Sequence, residues 1–230
     1  MRMMQRRTAL LSLAALFVAP AALAQSDDLH PRTPAATPVT GNDPVDLTGA
    51  DRDQAITRAN ASLNALQRLQ GRFTQTSPTR TVSTGAFYLQ RPGKVRFEYD
   101  PPATLLIVSD GSVVSMRNSA MRTTDRTPLR STPLNMILKS QIDLNHDARI
   151  SRVARWGQYT MISVTDPQGH VDGRLTLFFF GDNYELRIWD VMDITGSRTR
   201  VALSDMTQPG SLDPGLFRQE DTISRGHGRN

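Results

Sequence analysis

The segment from residue 85 to residue 111 reads Gly-Ala-Phe-Tyr-Leu-Gln-Arg-Pro-Gly-Lys-Val-Arg-Phe-Glu-Tyr-Asp-Pro-Pro-Ala-Thr-Leu-Leu-Ile-Val-Ser-Asp-Gly. It predicts three consecutive strands over residues 85–90, 94–100 and 104–109. Turns at Arg91-Pro92-Gly93 and Pro101-Pro102 separate them, because proline fixes φ and removes a backbone donor. The Asp-Gly pair at the end predicts a hairpin to a further strand.

The apolar side chains of the first two strands share one face. Alternate residues of a strand point to opposite sides of a sheet, so positions of equal parity lie together. The even positions of the second strand are charged, which predicts an antiparallel sheet with one apolar and one solvated face. The apolar set is Phe87, Leu89, Val95, Phe97 and Tyr99.

The rest of the chain continues this pattern, with short strands predicted on both sides of residue 140. About ten or eleven strands at regular spacing favour an antiparallel barrel or sandwich. The alternation does not decide which face of the 104–109 strand points inward. We assign as inward-facing the apolar residues Leu106, Val108, Leu175, Leu177, Phe179, Leu186, Ile188, Val201 and Leu203.

Two helices are expected among the strands. The first covers residues 51–69, where apolar residues recur at three- and four-residue steps. The second covers residues 132–138, with Thr132 at the N-cap and Pro133 at the first helical position. Their apolar stripes cover either a sheet or the mouth of a cavity, and are formed by Ile56, Leu63 and Leu66 and by Leu134, Ile137 and Leu138.

The N-terminus predicts export. Basic residues precede an apolar run and an Ala-Leu-Ala site, so we expect a signal peptide over residues 1–24, cleaved after Ala24. A Pro-, Thr- and Ala-rich linker is expected over residues 25–50, one domain over residues 51–220 and a polar tail over residues 221–230. The expected location is the periplasm.

Composition and charge narrow the function. Three of the 27 basic residues lie in the signal peptide, which leaves 24 against 22 acidic residues and a net charge of +2. Such a balance gives no electrostatic footprint for nucleic acid. The chain has no cysteine, so disulfides, thiolate metal sites and a cysteine nucleophile are excluded.

Enzyme chemistry is not indicated. The four histidines lie far apart in predicted loops or tails, without a partner at metal-ligand spacing. No nucleophile elbow, phosphate-binding loop or dinucleotide fingerprint is present. Residues 143–154 resemble a calcium loop only briefly, because Ala148 and Ala154 stand where glycine and a carboxylate are required. The residues alone predict an exported β domain that binds a hydrophobic ligand, without cofactor or metal.

Five short motifs in order carry a resemblance to a known family. They are Gly71-Arg72-Phe73-Thr74-Gln75, Gly85-x-Phe87-x-Leu89-x-Arg91-Pro92, Phe97-x-Tyr99, Leu106-Ile107-Val108-Ser109-Asp110-Gly111 and Thr132-Pro133 opening a helix. Together they resemble the LolA-type periplasmic carriers of outer-membrane lipoproteins. The resemblance covers residues 52–220.

The resemblance implies a fold and a role. Expected are a mainly β, α+β domain, an incomplete (unclosed) antiparallel β-barrel with a helical lid over a hydrophobic cavity, and a monomer. Spacing alone makes Arg91 a surface arginine that extends its stem along an apolar face. The resemblance implies instead that Arg91 hydrogen-bonds the lid backbone when the cavity is empty, and that Val95 faces the cavity.

The implied partners are acylated lipoproteins, an inner-membrane Lol ABC transporter and the outer-membrane receptor LolB or an equivalent. Two alternatives use the same fold. One is a periplasmic sensor that binds a lipid or lipoprotein as a signal. The other is a carrier of a different amphiphile, such as a glycolipid or polyprenoid.

Overall fold

The computed structural model describes residues 43–169 and 171–219. Three α-helices and twelve strands make up most of them. The helices are α1 (Gly49–Ala65), α2 (Asn135–Leu138) and α3 (Leu144–Asp147). The strands are β1 (Val45–Asp46), β2 (Arg68–Thr76), β3 (Val82–Gln90), β4 (Lys94–Tyr99), β5 (Leu105–Asp110), β6 (Val113–Asn118), β7 (Thr123–Pro128), β8 (Arg149–Trp156), β9 (Tyr159–Thr165), β10 (Arg174–Phe180), β11 (Glu185–Met192) and β12 (Arg198–Thr207).

All twelve strands belong to one antiparallel sheet. Its order is β1-β8-β9-β10-β11-β12-β2-β3-β4-β5-β6-β7, so β12 pairs with β2 and joins the two halves of the chain. Among the described residues, β1 and β7 form the two edges and do not pair with each other. The expected unclosed antiparallel barrel is confirmed, with twelve strands in place of the expected ten or eleven.

The register of β3 and β4 follows the predicted parity. Phe87 lies opposite Phe97, and Leu89 lies opposite Val95. Residues that face each other across an antiparallel pair project to the same side of the sheet. All four belong to the main hydrophobic core and are at most 6% exposed.

The assignment for β5 is wrong. Ile107 pairs with Phe97, so it shares the inner face, whereas Leu106 and Val108 pair with Glu98 and Arg96 and point outward. Val108 is nevertheless buried, because the 3-10 turn Pro214–Phe217 packs over the outer side of β4 and β5. A strand covered on both faces is apolar throughout, and alternation then gives no direction.

The assignment of Ile188 is also wrong. The register of β10 and β11 shifts so that Phe178 pairs with Ile188 but Phe179 pairs with Leu186. One extra residue on β11, a β-bulge, therefore lies between them and reverses the alternation. Leu186 stays on the inner face, Ile188 joins a small outer cluster with Phe178, and Trp189 enters the main core.

The helices differ from their predicted bounds. Helix α1 begins at Gly49 and ends at Ala65, because β2 already starts at Arg68. Only residues 135–138 of the second helix are α-helical, and Thr132 bonds back to the carbonyl of Leu129. Helix α3 lies within residues 143–154, which briefly resemble a calcium loop, and the sequence pattern does not predict a helix there.

The N-terminal boundary also moves. The expected linker of residues 25–50 overlaps strand β1, which pairs with β8, and the start of α1. The expected signal peptide and polar tail lie outside the described residues. No helix among the described residues has the length and apolarity that crossing a membrane requires.

One hydrophobic core joins the sheet to the helices. We call α1 together with residues 129–148 the lid. Buried side chains of α1, such as Ile56 and Leu63, and of residues 129–148, such as Leu134 and Leu144, pack in the same cluster as the inner face of the sheet. The predicted helical lid over an apolar interior is confirmed.

Candidate functional site

The interior beneath the lid is an apolar cavity that is almost completely filled. Its free volume is about 20 Å³, enough for about one water but far too small for an acyl chain. Arg91 is the one charged residue among its described walls. The walls are Leu66, Leu69, Phe87, Leu89, Arg91, Val95, Phe97, Leu134, Ile137, Leu138, Leu186, Trp189 and Leu203.

Aromatic rings form the floor of this cavity. Phe97 contacts Phe87 with ring centroids 5.0 Å apart, and Trp189 lies 6.2 Å from each of them. The indole nitrogen of Trp189 is buried without a hydrogen-bond partner among the described residues. Edge-on and tilted aromatic contacts of this kind hold rings in fixed positions, so the floor is rigid compared with the leucines above it.

The turn between β3 and β4 ties the sheet to the lid. Arg91 Nη2 donates to the Ile137 carbonyl over 2.8 Å, and the Gly93 backbone N–H donates to the Leu138 carbonyl over 2.8 Å. The Arg91 backbone N–H donates to the Gln67 carbonyl just after α1. We call these three contacts the latch. They connect one turn of the sheet to α2 and to the residue pair between α1 and β2.

The Arg91 guanidinium is poorly satisfied for a buried charge. It is 7% exposed, and its Nε and Nη1 have no partner within the described chain. Removal from water penalises the charged form, which lowers the pKa of Arg91 to about 10. The closed position of this side chain is therefore held at an energetic cost.

Gly93 lets the latch approach the neighbouring turn. Its φ is +72°, in the left-handed region that favours glycine. A Cβ at this position would lie 2.6 Å from the Cα of Gly111. The Gly93 carbonyl also accepts from the Ser109 hydroxyl over 2.7 Å. The contacts with Ser109 and Gly111 thus fix the backbone of the latch, while the Arg91 side chain extends towards α2.

The two parts of the lid are joined by asparagine side chains of α1. Asn64 donates to the Ile142 carbonyl over 2.8 Å and accepts from the Ile142 N–H over 2.9 Å. Asn60, one turn earlier, accepts from the Leu144 N–H and donates to Asp143, which caps α3. We call these contacts the asparagine clamp. It joins α3 and the residues before it to α1.

Most residues predicted to face the cavity lie in its wall or in the core around it. Wall positions are occupied by Phe87, Leu89, Val95, Phe97, Leu186, Leu203, Arg91 and the lid residues Leu66, Leu134, Ile137 and Leu138. Core positions beyond the wall are occupied by Tyr99, Leu175, Leu177, Phe179, Val201, Ile56 and Leu63. Leu106, Val108 and Ile188 lie outside the main core, as described above.

Two wall residues were not predicted. Leu69 extends the spacing of the first helix but belongs to β2, and its inner-face partner Leu89 identifies it once the register is known. Trp189 was missed because of the bulge. Leu69 shares its parity with the buried Phe73, so alternation identifies it once β2 is known to start at Arg68, whereas the bulge removes this signal for Trp189.

The walls of the cavity are suited to binding an apolar ligand. Within residues 43–169 and 171–219, no three His, Cys, Asp or Glu side chains are grouped to hold a metal ion. An apolar interior closed by a small number of polar contacts suits a long aliphatic ligand, provided that the lid moves to make room.

Comparisons with known proteins agree with this description. Residues 64–220 match the sequence model of the family described as outer membrane lipoprotein carrier protein LolA. The outer-membrane lipoprotein carrier protein of Methylococcus capsulatus is 28% identical over 171 residues, which are 70% of this chain and 81% of that protein. The protein of the same description from Chromobacterium violaceum is 22% identical over 178 residues, 74% of this chain and 85% of that protein.

Solved structures resemble the chain more distantly. A LolA superfamily protein from Nitrosomonas europaea has a TM-score of 0.43 at 11% identity, over 73% of this chain and 97% of that one. A conserved protein from Thermus thermophilus has a TM-score of 0.45 at 12% identity, over 74% of this chain and 94% of that one.

Proposed function

The chain belongs to the LolA family of outer membrane lipoprotein carriers, and from this premise we propose that it is a periplasmic chaperone for the acyl chains of lipoproteins. It takes up lipoproteins released from the inner membrane by a Lol-type ABC transporter. It then passes them to an outer-membrane receptor equivalent to LolB. The observation that carries the proposal is the nearly filled apolar cavity held shut by the Arg91 latch.

The energetics require such a cavity. Each buried methylene contributes about 0.8 kcal/mol, so an anchor with two or more acyl chains does not leave a membrane unaided. A carrier in water must offer similar burial. The apolar side chains on the inner face of the sheet, such as Phe87 and Leu203, supply this surface. Leucines of the lid cover it when no ligand is bound.

Release is the second requirement. A carrier that bound acyl chains with their full burial energy would never pass them on. The closed state of this protein recovers part of that energy, because Leu134, Ile137 and Leu138 fill the cavity and the latch reforms. A ligand must displace these contacts, and its affinity falls by the free energy needed to open the lid.

Arg91 sets the equilibrium between the closed, empty state and the open, ligand-bound state. Its contact with the Ile137 carbonyl exists only when α2 lies against the sheet. Loss of that contact favours the open state, so ligand is bound more tightly and delivered less often. The unsatisfied nitrogen atoms of Arg91 keep the closed state from becoming too stable for loading.

The test is an Arg91→Leu substitution in a reconstituted transfer assay. Protein loaded with an acylated lipoprotein is mixed with receptor-containing outer-membrane vesicles, and the lipoprotein that reaches the vesicles is measured. We expect the variant to load normally and to transfer at least about tenfold less, in line with a shift of ~1.4 kcal/mol towards the open state.

Arg96→Leu is the matched control. Arg96 also bonds a backbone carbonyl, that of Leu216 at 3.2 Å, but it lies on the outer side of the sheet. Transfer by this variant should equal that of the unmodified protein. Normal release by Arg91→Leu would contradict the latch. Failure of the unmodified protein to bind any acylated lipoprotein would contradict the carrier role.

A further inference from the structure

We infer that the groove between the end of α1 and strands β11 and β12 is the portal through which an acyl chain enters, and the seat of the ligand's polar head. This inference rests on the proposed function, since it assigns a place for the head of an acylated ligand. We call this feature the side groove. Its walls are Ser62, Ala65, Leu66, Leu69, Asn183, Glu185, Leu186, Met206 and Gln208.

The side groove and the filled cavity share a wall. Leu66, Leu69 and Leu186 line both spaces, so one layer of leucine side chains separates them. The side groove is open and has a volume of about 290 Å³, close to the ~300 Å³ at which small-molecule sites begin. The cavity behind it has about 20 Å³. Empty space already exists on the outside of this layer and has to be created on the inside.

Leu66 is the mobile member of this layer. It follows the last residue of α1, with backbone angles of −79° and 85° that no longer belong to the helix. Its side chain is only partly buried, whereas Leu69 and Leu186 are 4% and 6% exposed. A rotation of Leu66 connects the two spaces while the asparagine clamp and most of α1 stay in place.

The chemistry of the side groove changes from floor to rim. The shared leucines and Met206 form an apolar floor, and Asn183 and Gln208 are exposed at the rim. Their side-chain amides make no hydrogen bond to another described residue. Amides of this kind both donate and accept, which suits the ester and amide groups at the head of an acylated cysteine.

The charge at the rim argues against a phosphate head. Glu185 is the one charged residue among the described walls, and no lysine or arginine is present there. Its carboxylate accepts a hydrogen bond from Arg187 over 2.6 Å. Arg187 is engaged by this carboxylate and is not a wall residue, so a phosphodiester in the groove would find no free cation. The amide-bearing rim therefore favours an uncharged, ester- and amide-bearing head over a phospholipid.

The experiment blocks the side groove from two walls. Ala65→Trp and Gln208→Trp place a large ring in the open space from positions that are already exposed, so the core is untouched. Ala61→Trp is the matched control, because Ala61 is an exposed alanine one turn earlier on α1 that does not line the groove. The probe is a synthetic dipalmitoylglyceryl-cysteine peptide without charged side chains, with the bound fraction measured by native mass spectrometry.

We expect both blocking variants to bind the lipopeptide at least about tenfold more weakly than Ala61→Trp does. Equal binding by all three variants would overturn the portal and leave the carrier role intact. An absence of binding in the unmodified protein would instead overturn the proposed function. In a competition experiment, the protein is first loaded with isotope-labelled lipopeptide. Phosphatidylglycerol with the same acyl chains should displace it at least about tenfold less effectively than unlabelled lipopeptide does. Equal displacement would overturn the assignment of the head.

Discussion

Two arginines lie against apolar parts of the sheet, one on each face, and their surroundings differ. On the outer face, Arg200 Nε and Nη2 donate to the two carboxylate oxygens of Asp190 over 2.7 and 2.8 Å, and its guanidinium lies over the Phe178 ring. On the inner face, Arg91 has one carbonyl acceptor and two nitrogen atoms without a partner among the described residues.

The two guanidinium groups also differ in the direction in which their surroundings shift the pKa. Hydrogen bonds to Asp190 outweigh burial and raise the pKa of Arg200, whereas burial alone lowers the pKa of Arg91 to about 10. Arg200 lies opposite Asp190 in the register of β11 and β12, so this bidentate pair joins the two strands. Arg91 is held by neighbouring structure and can leave its place at little cost. On the proposed function, the Arg200 contact stays in place while the Arg91 contact breaks when the lid opens.

The largest effect should come from breaking the outer pair. Asp190→Asn removes a buried carboxylate and leaves the half-buried Arg200 without its partner, and we expect the free energy of unfolding to fall by about 3 kcal/mol. Urea denaturation measures the change. The double variant Asp190→Leu with Arg200→Met should recover most of the loss, because an apolar pair needs no partner. A loss below about 1 kcal/mol in Asp190→Asn would place Arg200 in the same class as Arg91.

A smaller effect is expected at the Asn64 part of the asparagine clamp, which joins only uncharged groups. Asn64→Ala leaves the N–H and C=O of Ile142 unsatisfied, at a cost of about 2 kcal/mol. Hydrogen exchange at α3 should increase. Asn145→Ala is a control, since Asn145 is exposed and its side chain makes no hydrogen bond to another described residue. Unchanged exchange would mean that the lid is held mainly by its apolar contacts.

The smallest effect on stability is expected at Arg91, and it depends on pH. The folded-state pKa of Arg91 is lower than the unfolded value of 12.5, so the unfolded state binds more protons between these two values. Stability contributed by this group therefore rises as the pH increases above about 10. Relative to Arg91→Met, the unmodified protein should gain about 1 kcal/mol in unfolding free energy from about pH 9.5 to about pH 11. A constant difference would mean that Arg91 is better solvated than its burial indicates.

Sequence periodicity predicts the inner face well where one side of the sheet meets water. The odd positions of β3 and β4 could be assigned because Lys94, Arg96 and Glu98 mark the other side. The same logic fails at β5, where the Pro214–Phe217 turn covers the outer face. It fails again in β11, where the bulge brings Trp189 instead of Ile188 to the inner face of the sheet. Both failures depend on contacts between residues far apart in sequence.

The latch shows a second limit of prediction from the sequence. Arg91 could be recognised as unusual beside an apolar face, but its partner is the carbonyl of Ile137, and every residue offers a carbonyl. Side-chain identity therefore gives no indication of the contact. The end of α1 was misplaced for a related reason, since Leu66 and Leu69 keep helical spacing across the start of β2.

The open edge of the sheet has a mechanical consequence. A closed barrel has a circumference fixed by its strand number and stagger, and it cannot widen without breaking hydrogen bonds. In the part of the chain described, β1 and β7 remain unpaired with each other, and β7 carries the polar residues Thr123–Pro128, which are largely exposed and discourage pairing with another chain. The wall can therefore flatten or curl elastically as the volume inside it changes. On the proposed function, we expect cargoes with different numbers of acyl chains to be accommodated by this bending of the sheet.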